Sequence, residues 1–159
     1  MAKNFMNVGN NNNLKGHYPL FLGEDLGFSD TVNVTYPAIE EMYLDQRARF
    51  WTEVEVPLSN DRMDLAEAPK SAQHVLLLNP MAQWLLDSTA SRGIIETFGP
   101  FVSNTECYEW LSTQSFFEHI HARTYSDIFR NCFVDGNAAL EEAKRDVMVQ
   151  YRTGIIGKV

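Results

Sequence analysis

One stretch of the chain combines the spacing of a helix with an unusual density of ionisable side chains. Residues 116–131 read FFEHIHARTYSDIFRN. In an α-helix of about 100° per residue, Glu118 and His121 share one face, and Tyr125 lies on the same stripe one turn further along. Phenylalanine and isoleucine flank these groups, and a charge on an apolar face is costly unless something pairs with it. The stretch therefore requires a fold in which a long helix carries a partnered polar stripe.

The helical period recurs over much of residues 36–151, and no part of the chain shows sustained β-alternation. Asn79-Pro80 predicts either the start of a new helix or a kink in one long helix. Residues 52–65, TEVEVPLSNDRMDL, predict an extended segment, since proline and turn-forming residues interrupt it. Asp135-Gly136 is predicted to end the third helical stretch. The sequence therefore predicts an all-α fold, whose helical stretches are roughly residues 36–51, 67–92, 103–132 and 138–151.

Length, charge and cysteine content limit the classes of function. The 159 residues are enough for one domain, with an irregular N-terminal arm over residues 1–35, a helical region over 36–151 and a tail over 152–159. A net charge of −8 without a basic cluster argues against nucleic acid and favours small molecules, metals or proteins as partners. Cys107 and Cys132 are expected to be buried thiols in a reducing cytoplasm. No signal-peptide core or membrane-spanning run is present, so we expect a cytoplasmic protein without a membrane partner.

A Glu-x-x-His pair on an inward helix face offers one carboxylate and one imidazole to the same metal. Ferritin-like bundles use this arrangement, and such donors suit iron or manganese. The pair alone is equally compatible with a solvent-facing Glu118 and a half-buried, hydrogen-bonded His119 or His121. His119 has no partner at this spacing, so we expect it to be such a half-buried histidine. Asp87 adds weight to the metal hypothesis, because it follows Trp84-Leu85-Leu86 in an apolar stretch where a carboxylate needs a cation.

Three segments in order carry a resemblance to a known family. FWTEVEVPLSNDRMDL, LLDSTASRG and FFEHIHARTYSDIFRN, within roughly residues 36–135, resemble the radical-generating small (beta) subunit of class I ribonucleotide reductase. The resemblance implies a ferritin-like helical bundle. It also implies a centre of two iron ions, or of manganese and iron, and a role in reducing ribonucleotides to deoxyribonucleotides.

The resemblance also implies a role for each matching residue. Asp87 would be the first carboxylate ligand, Glu118 the carboxylate that bridges two metals, and His121 the imidazole ligand. Tyr125 would be the tyrosine that is oxidised to a neutral radical, and Trp51 the tryptophan that relays an electron. The radical would then pass to a cysteine of the large catalytic subunit. A ferritin-like dimetal-binding protein without radical chemistry is the alternative, although it would need neither Tyr125 nor Trp51.

The sequence departs from the family pattern in its second half. The family site takes another carboxylate and a second Glu-x-x-His, whereas this sequence has one such pair, and Glu141 and Glu142 lie on a charged helix. The resemblance thus covers three of six ligands and about half of the bundle. A second polypeptide with the C-terminal half, a truncated non-catalytic reading frame, or pairing of two copies would each account for this, and we rank pairing last. We expect the completed subunit to be a homodimer, and the isolated chain to be poorly soluble or oligomeric because half a bundle exposes an apolar face.

Overall fold

A computed structural model of the chain describes residues 4–10 and 19–157. The only extended pairing in this part is an isolated bridge between Phe21 and Val102, so the predicted all-α class is confirmed. Residues 1–3 and 11–18 of the predicted arm and the last two residues of the predicted tail lie outside the described residues. Within the described part the helices are α1 (Pro37–Ala48), α2 (Asp61–Glu67), α3 (Lys70–Phe98), α4 (Thr105–Cys132), α5 (Gly136–Arg145) and α6 (Val147–Ile156).

The long helices follow the sequence prediction closely. Of the two alternatives at Asn79-Pro80, the structure has one continuous helix, since α3 runs through Pro80 to Phe98. A proline inside a helix removes one backbone hydrogen bond, and Pro80 is buried, so its packing offsets that loss. Helix α4 begins directly after Asn104, whose side-chain oxygen accepts the N–H of Cys107 at 2.8 Å, as an N-cap residue does.

The extended segment predicted over residues 52–65 is wrong. A 3₁₀ turn at Glu53–Glu55 and helix α2 form there instead. The N–H and the hydroxyl of Thr52 both donate to Oε1 of Glu55 at 2.9 Å, and this capping interaction closes the turn. Helix α2 buries only Leu65. A seven-residue helix with one buried side chain carries too little periodicity to be predicted from its sequence.

The C-terminal part also differs from the prediction. Helix α4 ends at Cys132, as predicted, but Asp135 has a different role from the one expected: its carboxylate accepts the N–H of Ala138 at 2.9 Å and caps α5. The fourth predicted stretch is two helices, because Asp146 caps α6 by accepting the N–H of Met148 at 2.8 Å. Helix α6 continues to Ile156, so most of the predicted tail is helical.

The chain forms two compact units, and helices α3 and α4 contribute to both. The first unit combines Met1–Phe50 with Arg92–Phe117, and the second combines Trp51–Ser91 with Glu118–Val159. The division into arm, helical region and tail remains a prediction. In the described part of the chain, no helix is both long enough and apolar enough to cross a membrane.

A buried carboxylate organises the first unit. Glu106 is 4% exposed, and its two oxygens accept the backbone N–H groups of Thr35 at 2.6 Å and Tyr36 at 2.7 Å. These bonds hold the start of α1 against α4. The neighbouring core consists of Val102, Cys107 and Leu111, packed by side chains that include Leu20, Ile39, Ile95 and Trp110.

The second unit has its own core, in which small residues let helices approach closely. Ala143 is fully buried and Phe129 is 2% exposed. A Cβ atom on Gly136 would lie 2.6 Å from the carbonyl oxygen of Phe129, so the start of α5 can pass α4 only with glycine at this position. The core is formed by Leu77, Phe129, Ala139 and Ala143, with Leu78, Met81, Trp84, Phe133 and Leu140 packed against it.

Candidate metal centre

Helices α3 and α4 bring two carboxylates and one imidazole together in the second unit. Asp87, Glu118 and His121 each offer one ligand atom, and these three atoms lie within 4.8 Å of one another. Nδ1 of His121 is 3.1 Å from Oε2 of Glu118 and 3.7 Å from Oδ2 of Asp87. Glu118 and His121 lie on one face of α4 because they are three residues apart, as the sequence predicted. Asp87 reaches them from α3. Its apolar stretch had indicated a carboxylate that needs a cation, and the resemblance had assigned it to the same site as this pair.

The two carboxylates share a partly buried space, which has electrostatic consequences. Burial raises the pKa of Asp87, and the negative charge of Glu118 raises it further. The nearby His121 and a hydrogen bond from Tyr125 act in the opposite direction. A group of like charges in this position is stabilised by a cation, and carboxylate and imidazole donors suit iron or manganese. The residues present therefore fit a metal ion.

Tyr125 lies next to this group. Its phenol forms a side-chain hydrogen bond with the Asp87 carboxylate, and its side chain is half-buried. Burial raises the pKa of Tyr125, and the negative charges of Asp87 and Glu118 raise it further, so the phenol keeps its proton at neutral pH. The tyrosine is thus held as a neutral hydrogen-bond donor beside a carboxylate of the candidate metal site.

Trp51 contacts the group from a segment that lies far earlier in the sequence. Its indole stacks on the imidazole of His121, with ring centroids 5.7 Å apart and planes inclined by 24°. Helix α1 ends at Ala48, so Trp51 stands in an irregular segment and not at a helix end, as the sequence had suggested. Close by, the guanidinium of Arg123 donates to the carboxylate of Glu53 and forms an ion pair with it. Sequence reasoning missed this pair, because no local pattern links residues 70 positions apart.

Other residues from the sequence analysis lie away from the group. Glu141 and Glu142 are exposed on α5, and Glu141 pairs with Lys144 at 2.8 Å, which agrees with their exclusion as ligands. His119 is exposed, although a half-buried position was expected for a histidine without a partner at the right spacing. Asp87, Glu118 and His121 are the one group of potential metal ligands found among residues 4–10 and 19–157.

Helices that present carboxylates and an imidazole to one point are the arrangement by which ferritin-like bundles hold metal. Residues 29–159 match the family model of the ribonucleotide reductase small chain. The chain is 31% identical over 150 residues to the ribonucleoside-diphosphate reductase beta subunit of Buchnera aphidicola subsp. Schizaphis graminum, and the match covers 89% of this chain and 39% of that protein. The chain belongs to the ribonucleotide reductase small-chain family.

Solved structures agree with the fold. The dimanganese(II) form of NrdF from Streptococcus sanguinis superposes with a TM-score of 0.73 at 18% identity, over 84% of this chain and 48% of that one. The R2 subunit of ribonucleotide reductase from Clostridium botulinum gives a TM-score of 0.73 at 20% identity, over 82% and 43%. The predicted ferritin-like fold is confirmed, and the chain spans less than half the length of these relatives.

Proposed function

We propose that this chain contributes one half of the dimetal site of a ribonucleotide reductase small subunit, which serves the reduction of ribonucleotides to deoxyribonucleotides. Asp87, Glu118 and His121 would hold metal, Tyr125 would carry the radical, and Trp51 would relay an electron. One observation carries the proposal. The three ligand atoms lie within 4.8 Å of one another, and the Tyr125 phenol is hydrogen-bonded to one of the ligands.

The protein groups have defined tasks in this proposal. When bound, a dimetal centre supplies the oxidising equivalent that removes an electron from a nearby phenol. A phenol that loses an electron also loses its proton, and the Asp87 carboxylate, which accepts the Tyr125 hydrogen bond, can take up that proton. Half-burial of Tyr125 limits access of water and reductants to the ring. The stack of Trp51 on His121 provides aromatic contact between the site and the segment that precedes α2.

A second polypeptide completes the site in this proposal. By resemblance the full centre has six protein ligands, and this sequence supplies three. Exposed apolar side chains in the second unit support the idea of a missing partner. They include Val75 at 61% and Leu76 at 47% on α3, and Val147 at 77% and Tyr151 at 64% on α6. The completed subunit would form a homodimer and pass its radical to the large catalytic subunit.

Iron is the metal that we propose, because Tyr125 suits a di-iron centre with a tyrosyl radical. The ligand types alone also suit manganese. The dimanganese(II) form belongs to the Streptococcus sanguinis protein, and metal analysis of this chain decides which metal it takes.

The test combines metal analysis with electron paramagnetic resonance. The chain is loaded with ferrous iron and exposed to oxygen, first alone and then with the separately expressed remainder of the Buchnera aphidicola beta subunit. We expect little metal and no radical from the chain alone, and about two metals and a tyrosyl signal from the mixture. A radical from the chain alone would show that one chain type suffices and would refute the need for a second polypeptide. Metal binding without any radical in the mixture would favour the metal-binding protein without radical chemistry.

Tyr125→Phe tests the radical assignment within the same mixture. The variant removes only the phenol oxygen, so it should bind as much metal as the wild type and give no tyrosyl signal. Tyr108→Phe, on the same helix but in the first unit, is the matched control and should leave the signal unchanged. An unaltered radical in Tyr125→Phe would contradict the assignment.

A further inference from the structure

We propose that the ion pair between Glu53 and Arg123 is a positioning device that holds the Trp51 indole on the imidazole of His121. The pair and the ring stack join the same two segments of the second unit. Glu53 stands two residues after Trp51, and Arg123 stands two residues after His121 on α4. The ion pair is therefore a second link immediately beside the stack. The functional meaning of this positioning rests on the proposed role of Trp51.

Trp51 needs such a link because its own segment is not part of a helix. Helix α1 ends at Ala48, and the next regular element is the 3₁₀ turn at Glu53–Glu55. An indole on an irregular segment keeps rotational freedom unless its neighbours are fixed. Stacking of two rings also depends on their offset and tilt, so a small movement of the segment weakens the contact.

The turn that carries Glu53 is itself fixed. Thr52 donates through its N–H and its hydroxyl to Oε1 of Glu55, at 2.9 Å in both cases. The capped turn restricts the movement of Trp51 relative to Glu53. Fixing the Glu53 carboxylate therefore also fixes the position of the indole. Glu53 is 15% exposed in its side chain, whereas Arg123 is 71% exposed, which means that the arginine closes over the carboxylate from the solvent side.

The exposure of Arg123 makes the proposal testable. Solvent-exposed ion pairs contribute little to global stability. Variants that break the pair should therefore stay folded and change only what the pair positions. Arg130 and Asp127 form an exposed i, i+3 pair at 2.5 Å on the same helix, and they provide a control of matched chemistry.

The experiment is fluorine NMR of the full metal-free chain with 5-fluorotryptophan at its three tryptophans, and Trp51 is assigned by the loss of a signal in Trp51→Phe. We expect Glu53→Gln and Arg123→Gln to move the Trp51 resonance toward the position of a solvent-exposed indole. Arg123→Lys keeps the charge and should retain most of the wild-type shift, and Arg130→Gln should retain all of it. The resonances of Trp84 and Trp110 report the two cores and should stay in place in every variant.

Two results would overturn the proposal. One is an unmoved Trp51 resonance in both Glu53→Gln and Arg123→Gln. The other is a simultaneous shift of Trp84 or Trp110, which would reveal a general structural effect instead of local positioning. Radical yield in the completed mixture is the separate functional readout, and it should fall in both variants while bound metal is unchanged. If the wild-type mixture gives no radical but the Trp51 resonance moves as expected, then the proposed function fails and the positioning stands.

Discussion

Replacing Glu118 with glutamine should make the metal-free chain more stable, although it removes a proposed ligand. The reason is the like charge of the neighbouring carboxylate of Asp87, whose ligand atom lies within 4.8 Å. Two unit charges at 4.8 Å repel by about 3.5 kcal/mol at an effective dielectric constant of about 20, and by about 0.9 kcal/mol at about 80. Both side chains are 16% exposed, so solvent screens part of this repulsion.

The substitution also weakens one favourable contact. Oε2 of Glu118 is 3.1 Å from Nδ1 of His121, and a neutral glutamine oxygen accepts a hydrogen bond less strongly than a carboxylate does. Allowing about 1 kcal/mol for that loss leaves a net gain of about 1 kcal/mol for Glu118→Gln. For a chain of this size, such a gain corresponds to a rise of about 2–4 °C in Tm.

The assay is thermal unfolding of the metal-free chain, followed by circular dichroism at low and high salt. Glu118→Gln and Asp87→Asn should each raise Tm, and the double variant should gain less than the sum, because either single change already removes the repulsion. Added salt should shrink the gain. Glu141→Gln is the control, because its pair with Lys144 is exposed and its loss should leave Tm unchanged. A fall in Tm for both single variants, or fully additive gains, would refute the reasoning.

Two further predictions concern groups outside the site. Glu106→Ala should lower the free energy of unfolding, measured with urea, by about 2–4 kcal/mol, because it removes the charged acceptor of the N–H groups of Thr35 and Tyr36. A decrease below about 0.5 kcal/mol would contradict the anchoring role. Burial raises the pKa of the thiols of Cys107 and Cys132, so both should resist a thiol reagent at pH 8 in the folded chain and react once urea unfolds it; fast reaction of either thiol in the native chain would contradict their burial.

The sequence could predict those features that depend on residues close to one another along the chain. Glu118, His121 and Tyr125 lie within eight residues on one helix, so their common face follows from helix geometry alone. The all-α class was equally accessible, because α3 and α4 are 29 and 28 residues long and no sustained β-alternation interrupts them. Proline at position 80 left two alternatives open, and the continuous helix α3 in the folded chain decides between them.

The wrong predictions concern elements that do not depend on a periodic pattern of apolar residues. The turn at Glu53–Glu55 depends on one capping carboxylate, and helix α2 buries one side chain. Asp135 was predicted to end a helix, and Asp146 lies inside the single stretch predicted over residues 138–151, yet each starts a helix by accepting backbone N–H groups. Aspartate can either interrupt a helix or cap the start of one, and its role depends on whether the residues that follow it form a helix.

The position of Asp87 shows most clearly why local reasoning needs a second source of information. Its apolar neighbours indicate that the carboxylate needs a cation, but they do not identify the other ligands, which lie about 30 residues further along the chain. In the folded chain it shares a half-buried space with a second carboxylate, and burial together with that charge raises its pKa. Because burial and the second charge disfavour the ionised form of Asp87, the empty group lowers the stability of the metal-free chain. A cation bound by both carboxylates reverses that penalty. The destabilisation expected for the empty group and the metal binding proposed for it are therefore consequences of the same geometry.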